Sequence, residues 1–427
     1  MGSSQPSTLF SSLTPVPYDE AYNVKADFDA DVHPNKVNLG IGVYRDNDGK
    51  AWALPSVELT RRQSEIILLQ KAIPSLPNNH DYIPAGGLPQ FVMAAQKLLF
   101  GSLYSDIRCR LASVQTISGS GACHLGTSFL AKTLKPRSVW ISDPSWINHS
   151  LIWEVTAPDV QLKFYPYFDA GSKSIDFSGM NLALESRAEK GDVVLLQACA
   201  HNPTGCDPTH EQWKQLADLC EKKGLIPFFD IAYQGFASGV PDEDAWSVRH
   251  FAERKSMDIV IAQSFSKNFG LYGQRVGALH ILASEASVVS AIVSNLVRLI
   301  RSEYSSPASW GCRIVAKVLE DPDLREKWLR DLKQMNHRIK FVRQALFEEL
   351  QKLGTPRTWE HLIRHIGMFS YTGLRPEEVK RLKHEYHIHM FSSGRASVAG
   401  LNTHNIIRVA KSIDIVVRDT ENNMLGR

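Results

Sequence analysis

Lys267 stands in Ser264-Phe265-Ser266-Lys267-Asn268-Phe269-Gly270, directly after an apolar run, among hydroxyls that can hold an anion and a glycine that lets backbone approach. An amine placed there can form a Schiff base with a carbonyl if it is unprotonated near neutral pH, and burial beside cationic groups lowers a lysine pKa in that direction. Taken alone, the lysine reads more simply as a solvated loop residue, because most lysines sit on surfaces. Asp230 closes the run Gly224-Leu225-Ile226-Pro227-Phe228-Phe229. An unpaired carboxylate at the mouth of so apolar a strand is costly. A protonated pyridine nitrogen would pair with it and act as an electron sink; a helix N-cap is the plain alternative.

Ser118-Gly119-Ser120-Gly121-Ala122 precedes a plausible helix, so its backbone N–H groups and the Ser120 hydroxyl can bind a phosphate at a helix amino terminus. Arg275 can return to the same phosphate or form a surface salt bridge. Trp146 offers a flat face for an aromatic cofactor or simply packs in the core. By spacing alone Arg301 and Arg395 are surface residues, although a planar fork at Arg395, in Ser392-Ser393-Gly394-Arg395, can clamp a carboxylate with two parallel hydrogen bonds. His361 and His365, and the group His384, His387 and His389, read as solvated faces: no Glu follows His361 and no Cys completes a ligand set, so no metal site is expected. Six cysteines (109, 123, 199, 206, 220, 312) without a Cys-x-x-Cys pair read as reduced thiols with no assigned chemistry. Gly-x-Ser-x-Gly elbows and Walker-type loops are absent from the sequence, which removes support for hydrolase and nucleotide-binding readings.

Such residues need elements to hold them. From residue 137 on, short β-rich apolar runs at 138–142, 193–198, 225–229, 259–263 and 276–281 alternate with amphipathic stretches such as 209–223, the pattern of parallel strands joined by helices in an α/β sheet. Each run ends in polar or small residues, and open parallel sheets bind ligands at their carboxyl ends, so these loops are expected to converge. A long helical pattern at 307–353 is closed by Gly354-Thr355-Pro356. The first fifty or so residues, rich in Pro and Asp, are expected to form an arm plus a strand that joins a smaller domain. The expected division is 1–51 arm and part of the small domain, 52–334 large domain and 335–427 small domain.

The chain has 427 residues and a formal net charge of +3 with both signs interspersed, so nucleic acid is not an expected partner. No stretch approaches the roughly 18 consecutive apolar residues of a membrane span; the most apolar helical segment, 286–300, is interrupted by Ser, Asn295 and Arg298. The amino terminus lacks secretory and mitochondrial layouts, which points to the cytoplasm. A myristoylation reading of Gly2 fails because Pro6 stands where Ser or Thr is needed.

With these residues in view, Ser264-Phe265-Ser266-Lys267-Asn268-Phe269-Gly270-Leu271-Tyr272 with Arg275-Val276-Gly277 resembles the lysine motif of class I aspartate aminotransferases. The resemblance continues through Ala198-Cys199-Ala200-His201-Asn202-Pro203-Thr204-Gly205, Phe228-Phe229-Asp230-Ile231-Ala232-Tyr233-Gln234-Gly235, Asn38-Leu39-Gly40-Ile41-Gly42-Val43-Tyr44-Arg45 and Ile366-Gly367-Met368-Phe369-Ser370, over nearly the whole chain. It implies a fold type I transferase, with a mostly parallel central sheet in a large domain and a smaller α/β domain, that uses pyridoxal 5'-phosphate. Lys267 then anchors the cofactor and shuttles the proton, Asp230 pairs with the pyridine nitrogen, Tyr233 and Asn202 bond the phenolic oxygen, and Trp146 stacks on the ring. Gly119, Ser120, Ser264, Ser266 and Arg275 hold the phosphate, joined by Tyr82 from the partner subunit of a homodimer with shared active sites. Arg395 takes the substrate α-carboxylate, Arg301 of the other subunit takes the distal one, and Gly42, Trp146 and Asn202 complete the substrate set. The implied reaction is L-aspartate plus 2-oxoglutarate to oxaloacetate plus L-glutamate by a ping-pong route. Departures from the family pattern stand at Gly273-Gln274, Ser120, Cys123-His124, Gln197, Phe391 and Ala396-Ser397. They leave room for a donor such as a sulfonate or sulfinate analogue of aspartate, and more remotely for racemase or decarboxylase chemistry or a non-catalytic paralogue.

Overall fold

Apolar runs flanked by turn residues become the interior of one sheet. In the computed structural model, which describes residues 10–16, 19–70 and 81–425, its seven strands are β1 Leu111–Ile117, β2 Ser138–Asp143, β3 Gln161–Pro166, β4 Val193–Gln197, β5 Ile226–Ile231, β6 Ile259–Ser264 and β7 Val276–Leu282. Gly2 and Pro6 lie outside the described residues. Strand order is β1-β7-β6-β5-β4-β2-β3. Every residue of β4, β6 and β7 is buried, which is why these strands read as unbroken apolar runs and not as alternation: helices cover both faces.

The strands from β3 to β6 pair in parallel, but β7 runs antiparallel to both β6 and β1, which corrects the expectation of a parallel strand at 276–281. No helix lies between β6 and β7, and a parallel crossover needs a dozen or more residues, usually a helix. The reversal has a use. Val276, at the start of β7, pairs with Ile117, at the end of β1, so Arg275 arrives at the same rim as the carboxyl ends of the parallel strands. β1 and β3 escaped the sequence reading because Ser113, Gln115 and Thr116 interrupt one, and the other is a largely exposed edge.

The amino-terminal segment holds a helix besides the expected arm and strand. It contains α1 (Glu20–Ala30), capped by the Asp19 carboxylate, which accepts from the Ala21 N–H at 2.7 Å. Its one buried residue is Val24, too little for a visible apolar period, so cap and tertiary contacts decide it. Val37–Asn38 then pairs in parallel with Ile388–His389. The next helix of note, α2 (Ser118–Thr133), follows β1 directly. The amphipathic stretch at 209–223 forms α3 (His210–Lys223), with a Thr209/Gln212 capping box and a left-handed Gly224 at its end. After α4 (Val289–Glu303) the long helical pattern is two helices, α5 (Trp310–Glu320) and α6 (Pro322–Lys352). They part at Asp321, because Pro322 cannot continue a helix and disfavours helical backbone before it. No helix among the described residues is long and apolar enough to cross a membrane.

The histidines need correction as well. His361, His365 and His389 are buried, while His384 is exposed as expected. Burial holds His365 down at about 4 and His361 at about 3, so both are neutral packing residues. His389 Nε2 and His387 Nδ1 lie 2.7 and 3.0 Å from the Asp31 carboxylate, fastening the end of α1 to the carboxyl-terminal segment.

Candidate active site

The loops at the carboxyl ends of β2, β4, β5 and β6 meet the amino terminus of α2 around a cavity of about 340 Å³. Lys267 lines its floor. The amine makes no hydrogen bond or ion pair with the described residues; its nearest ring is Tyr233, with the centroid 5.2 Å away. Burial is the main cause that pulls its pKa below the ordinary 10.5, Arg275 adds to the fall and Asp230 opposes it. A lysine so placed has the depressed basicity that nucleophilic chemistry requires.

Asp230 is not a helix cap; it lies within β5, in register with Gln197 of β4 and Ala262 of β6. Its Oδ2 is 3.1 Å from His149 Nε2, and His149 Nδ1 is 3.0 Å from Ser145 Oγ. Sequence reasoning missed His149: it is fully buried, and its partner lies 81 residues away. Cys123 was missed for the same reason. Among the described residues, its thiol, His149 and Asp230 form the one group of metal-type ligand atoms within 4.8 Å of one another, although the imidazole and carboxylate already bond to each other. Burial and the Asp230 charge push the thiol's pKa well up.

At the amino terminus of α2, Ser118 and Arg275 are both non-glycine residues with left-handed backbone, φ 65° and 52°. The Ser118 N–H donates to the Arg275 carbonyl at 3.2 Å, and the Arg275 guanidinium donates to the Ser118 hydroxyl. Strain of this kind persists only where surroundings enforce it; here it folds the guanidinium over the first turn of α2. A Cβ on Gly119 would come within 2.8 Å of the Ser264 Cβ, so only glycine admits the approach of the two loops. Ser120, Ser264, Ser266 and the unpaired N–H groups of the first helical turn complete an anion cradle.

Across the cavity, Arg395 extends from the short strand Arg395–Ser397, which pairs with Phe369–Tyr371. Its guanidinium carbon sits 3.5 Å from the Phe391 ring centroid and 4.4 Å from that of Phe369. Nη2 donates to the Gly40 carbonyl at 2.9 Å and Nη1 to Asn202 Oδ1 at 3.4 Å. Burial lowers its pKa to about 10, which leaves it cationic at neutral pH. Trp146 meets the His149 ring edge-on at 5.1 Å. A Cβ on Gly42 would lie 2.7 Å from the Phe369 ring, so that loop passes the site as bare backbone.

The cofactor and substrate residues implied by the resemblance all line this cavity except Tyr82 and Arg301. Tyr82 is 87% exposed, and Arg301, on α4, donates to the Ser305 hydroxyl at 2.6 Å on an exposed surface. The remaining set (a free amine, a carboxylate held by an imidazole, an anion cradle at a helix terminus and a phenol between them) fits pyridoxal phosphate by the chemistry of its donors.

The profile of aminotransferase class I and II matches residues 34–413. An L-tyrosine:2-oxoglutarate aminotransferase of Aspergillus ustus is 46% identical over 412 residues, 94% of this chain and 77% of that protein. A cytoplasmic aspartate aminotransferase of Saccharomyces cerevisiae is 42% identical over 418 residues, 96% of this chain and 97% of its own. The solved aspartate aminotransferase from Saccharomyces cerevisiae cytoplasm superposes with a TM-score of 0.90 at 41% identity, covering 96% of this chain and 98% of that one.

Proposed function

The chain belongs to the class I and II aminotransferases, a pyridoxal-phosphate-dependent family, and from that premise we propose that it transfers the amino group of L-aspartate to 2-oxoglutarate, giving oxaloacetate and L-glutamate. The observation that carries the proposal is the unencumbered Lys267 amine in one cavity with Asp230, the Arg275 cradle and Arg395. When bound, pyridoxal phosphate supplies an aldehyde for the amino group and a ring that delocalises the electron pair left at the substrate α-carbon.

Lys267 Nζ would anchor the cofactor and, as a free amine, would take the proton from the substrate α-carbon; its lowered basicity would let the same amine accept and return it. Asp230, held by His149, balances a proton on the ring nitrogen. Tyr233 and Asn202 would donate to the ring oxygen, Trp146 would cover the ring face, and Gly119, Ser120, Ser264, Ser266 and Arg275 would hold the phosphate. The Arg395 fork takes the α-carboxylate, Phe391 and Phe369 keep water from its faces, and Gly42 leaves space beside it. Tyr82 and Arg301 reach a site only if supplied by a second copy, so we assign the enzyme as a homodimer with shared active sites. The relatives' names favour the cytoplasm. We keep the domain division at 51/52 and 334/335, although α6 runs unbroken across the second boundary.

Lys267→Ala should abolish turnover and the visible absorbance of the holoenzyme; a variant with full activity would end the reading. A second reading, an aromatic amino donor, is favoured by the rings of Phe391, Phe369 and Tyr22 that line the cavity and by the tyrosine-named relative. Initial rates with aspartate and tyrosine against 2-oxoglutarate decide between them.

A further inference from the structure

Gln197, the last residue of β4, is buried at 7% exposure and is used by none of the roles above. Its side-chain amide makes a two-point clamp on Asn202. Oε1 accepts from the Asn202 N–H at 2.8 Å, and Nε2 donates to the Asn202 carbonyl at 2.9 Å. Nε2 also donates, at 3.5 Å, to Ser145 Oγ, which is 3.0 Å from His149 Nδ1; His149 Nε2 is 3.1 Å from Asp230 Oδ2. In the other direction, Asn202 Oδ1 accepts from Arg395 Nη1 at 3.4 Å.

An amide offers an acceptor on one atom and two donors on the other. Rotating this one by half a turn would set N–H against N–H and C=O against C=O, so its orientation is fixed. The donor direction then propagates. A carboxylate only accepts, so Asp230 takes the proton on His149 Nε2 and leaves Nδ1 to accept from the Ser145 hydroxyl, whose oxygen in turn accepts from Gln197 Nε2. We infer that Gln197 is a positioning residue: one amide aims Asn202 at Arg395 and braces the Ser145–His149 relay beneath Asp230, coupling the grip on the substrate α-carboxylate to the charge that faces the cofactor ring. The inference rests on the function proposed above. Glutamate at this place keeps the acceptor and loses the donors, and leucine keeps the volume and loses both.

The test uses holoenzyme. In Gln197→Leu, KM for aspartate and for 2-oxoglutarate should rise together by about tenfold, the scale of a hydrogen bond to a charged group, since both substrates present the same α-carboxylate, while kcat changes less. The pH midpoint of the bound cofactor's visible absorbance should move by about half a pH unit or more, the scale of a modest local electrostatic change. If Gln197 acts through Asn202, its effect on KM should vanish in an Asn202→Ala background. Unchanged KM with an unmoved midpoint, or full additivity with Asn202→Ala, would overturn the inference. Should the leucine variant fail to fold, Gln197→Glu must show the paired KM rise, and wild-type values there overturn it equally. A wild-type holoenzyme that does not transaminate would sink the functional reading, and the absorbance midpoint, which needs no turnover, would still decide the clamp.

Discussion

The floor of the cavity and its mouth are assembled on different terms. At the floor, Asp230, Ser264 and Lys267 sit on or just past strands buried within a doubly covered sheet, and the donors they need come from the same chain. At the mouth, Arg395, Phe391, Asp19 and Tyr22 come from short segments near the two ends of the chain, and Tyr82 and Arg301 lie outside the cavity altogether. On the proposed function, a rigid sheet would hold the cofactor, while substrate choice would be left to segments joined by a two-residue parallel pairing and side-chain contacts. Two relatives similar to this chain carry names for different amino donors, tyrosine and aspartate.

The largest expected effect breaks the floor. Lys267→Ala should abolish measurable turnover, a loss at least as large as the roughly 10²–10⁴-fold contribution of a positioned acid–base group, as read by initial rates; a loss under tenfold would put the proton transfer elsewhere. At the mouth, Arg395→Lys keeps the charge but loses the fork, and should raise KM for both substrates by roughly 10- to 100-fold. Equal KM values would mean that charge alone binds the carboxylate. Arg301→Ala should cost about tenfold or more in kcat/KM for aspartate and little for tyrosine; equal losses would remove its assignment to the distal carboxylate.

The smallest effect concerns the floor without cofactor. Lys267 is held below its ordinary 10.5, chiefly by burial. Between the folded value and 10.5 the unfolded chain carries a proton that the folded chain lacks, so stability rises with pH through that window, and below it the full cost of enclosing the charge is present. Lys267→Met should therefore raise the Tm of cofactor-free protein by a few degrees at neutral pH. That gain should shrink as pH approaches 10.5. A gain independent of pH would mean that methionine packing, and not the charge, is responsible.

Most of the floor was legible because its residues lie within a few positions of strongly apolar runs: Asp230 ends one, and Lys267 follows another. Spacing could not reveal His149, Cys123 or the Gln197 clamp, whose partners stand on other strands and loops. The antiparallel turn of β7 was equally hidden, since a buried strand reads the same in either direction; only the shortness of its link to β6 hinted at it. Residues 307–353 read as one helix because apolar period outlasts a single proline, and α1 was missed because it buries too little to show a period.

By itself the sequence determined which residues are available for imine, phosphate and carboxylate chemistry, and that they follow strands, because side-chain type and local periodicity are properties of neighbours along the chain. Tertiary structure alone decided that Lys267 has no competing partner among the described residues, that Arg275 turns back over α2, that an imidazole backs Asp230 and that Arg301 is left outside. Those are statements about solvent, distance and orientation, which depend on elements that meet only after the chain has folded.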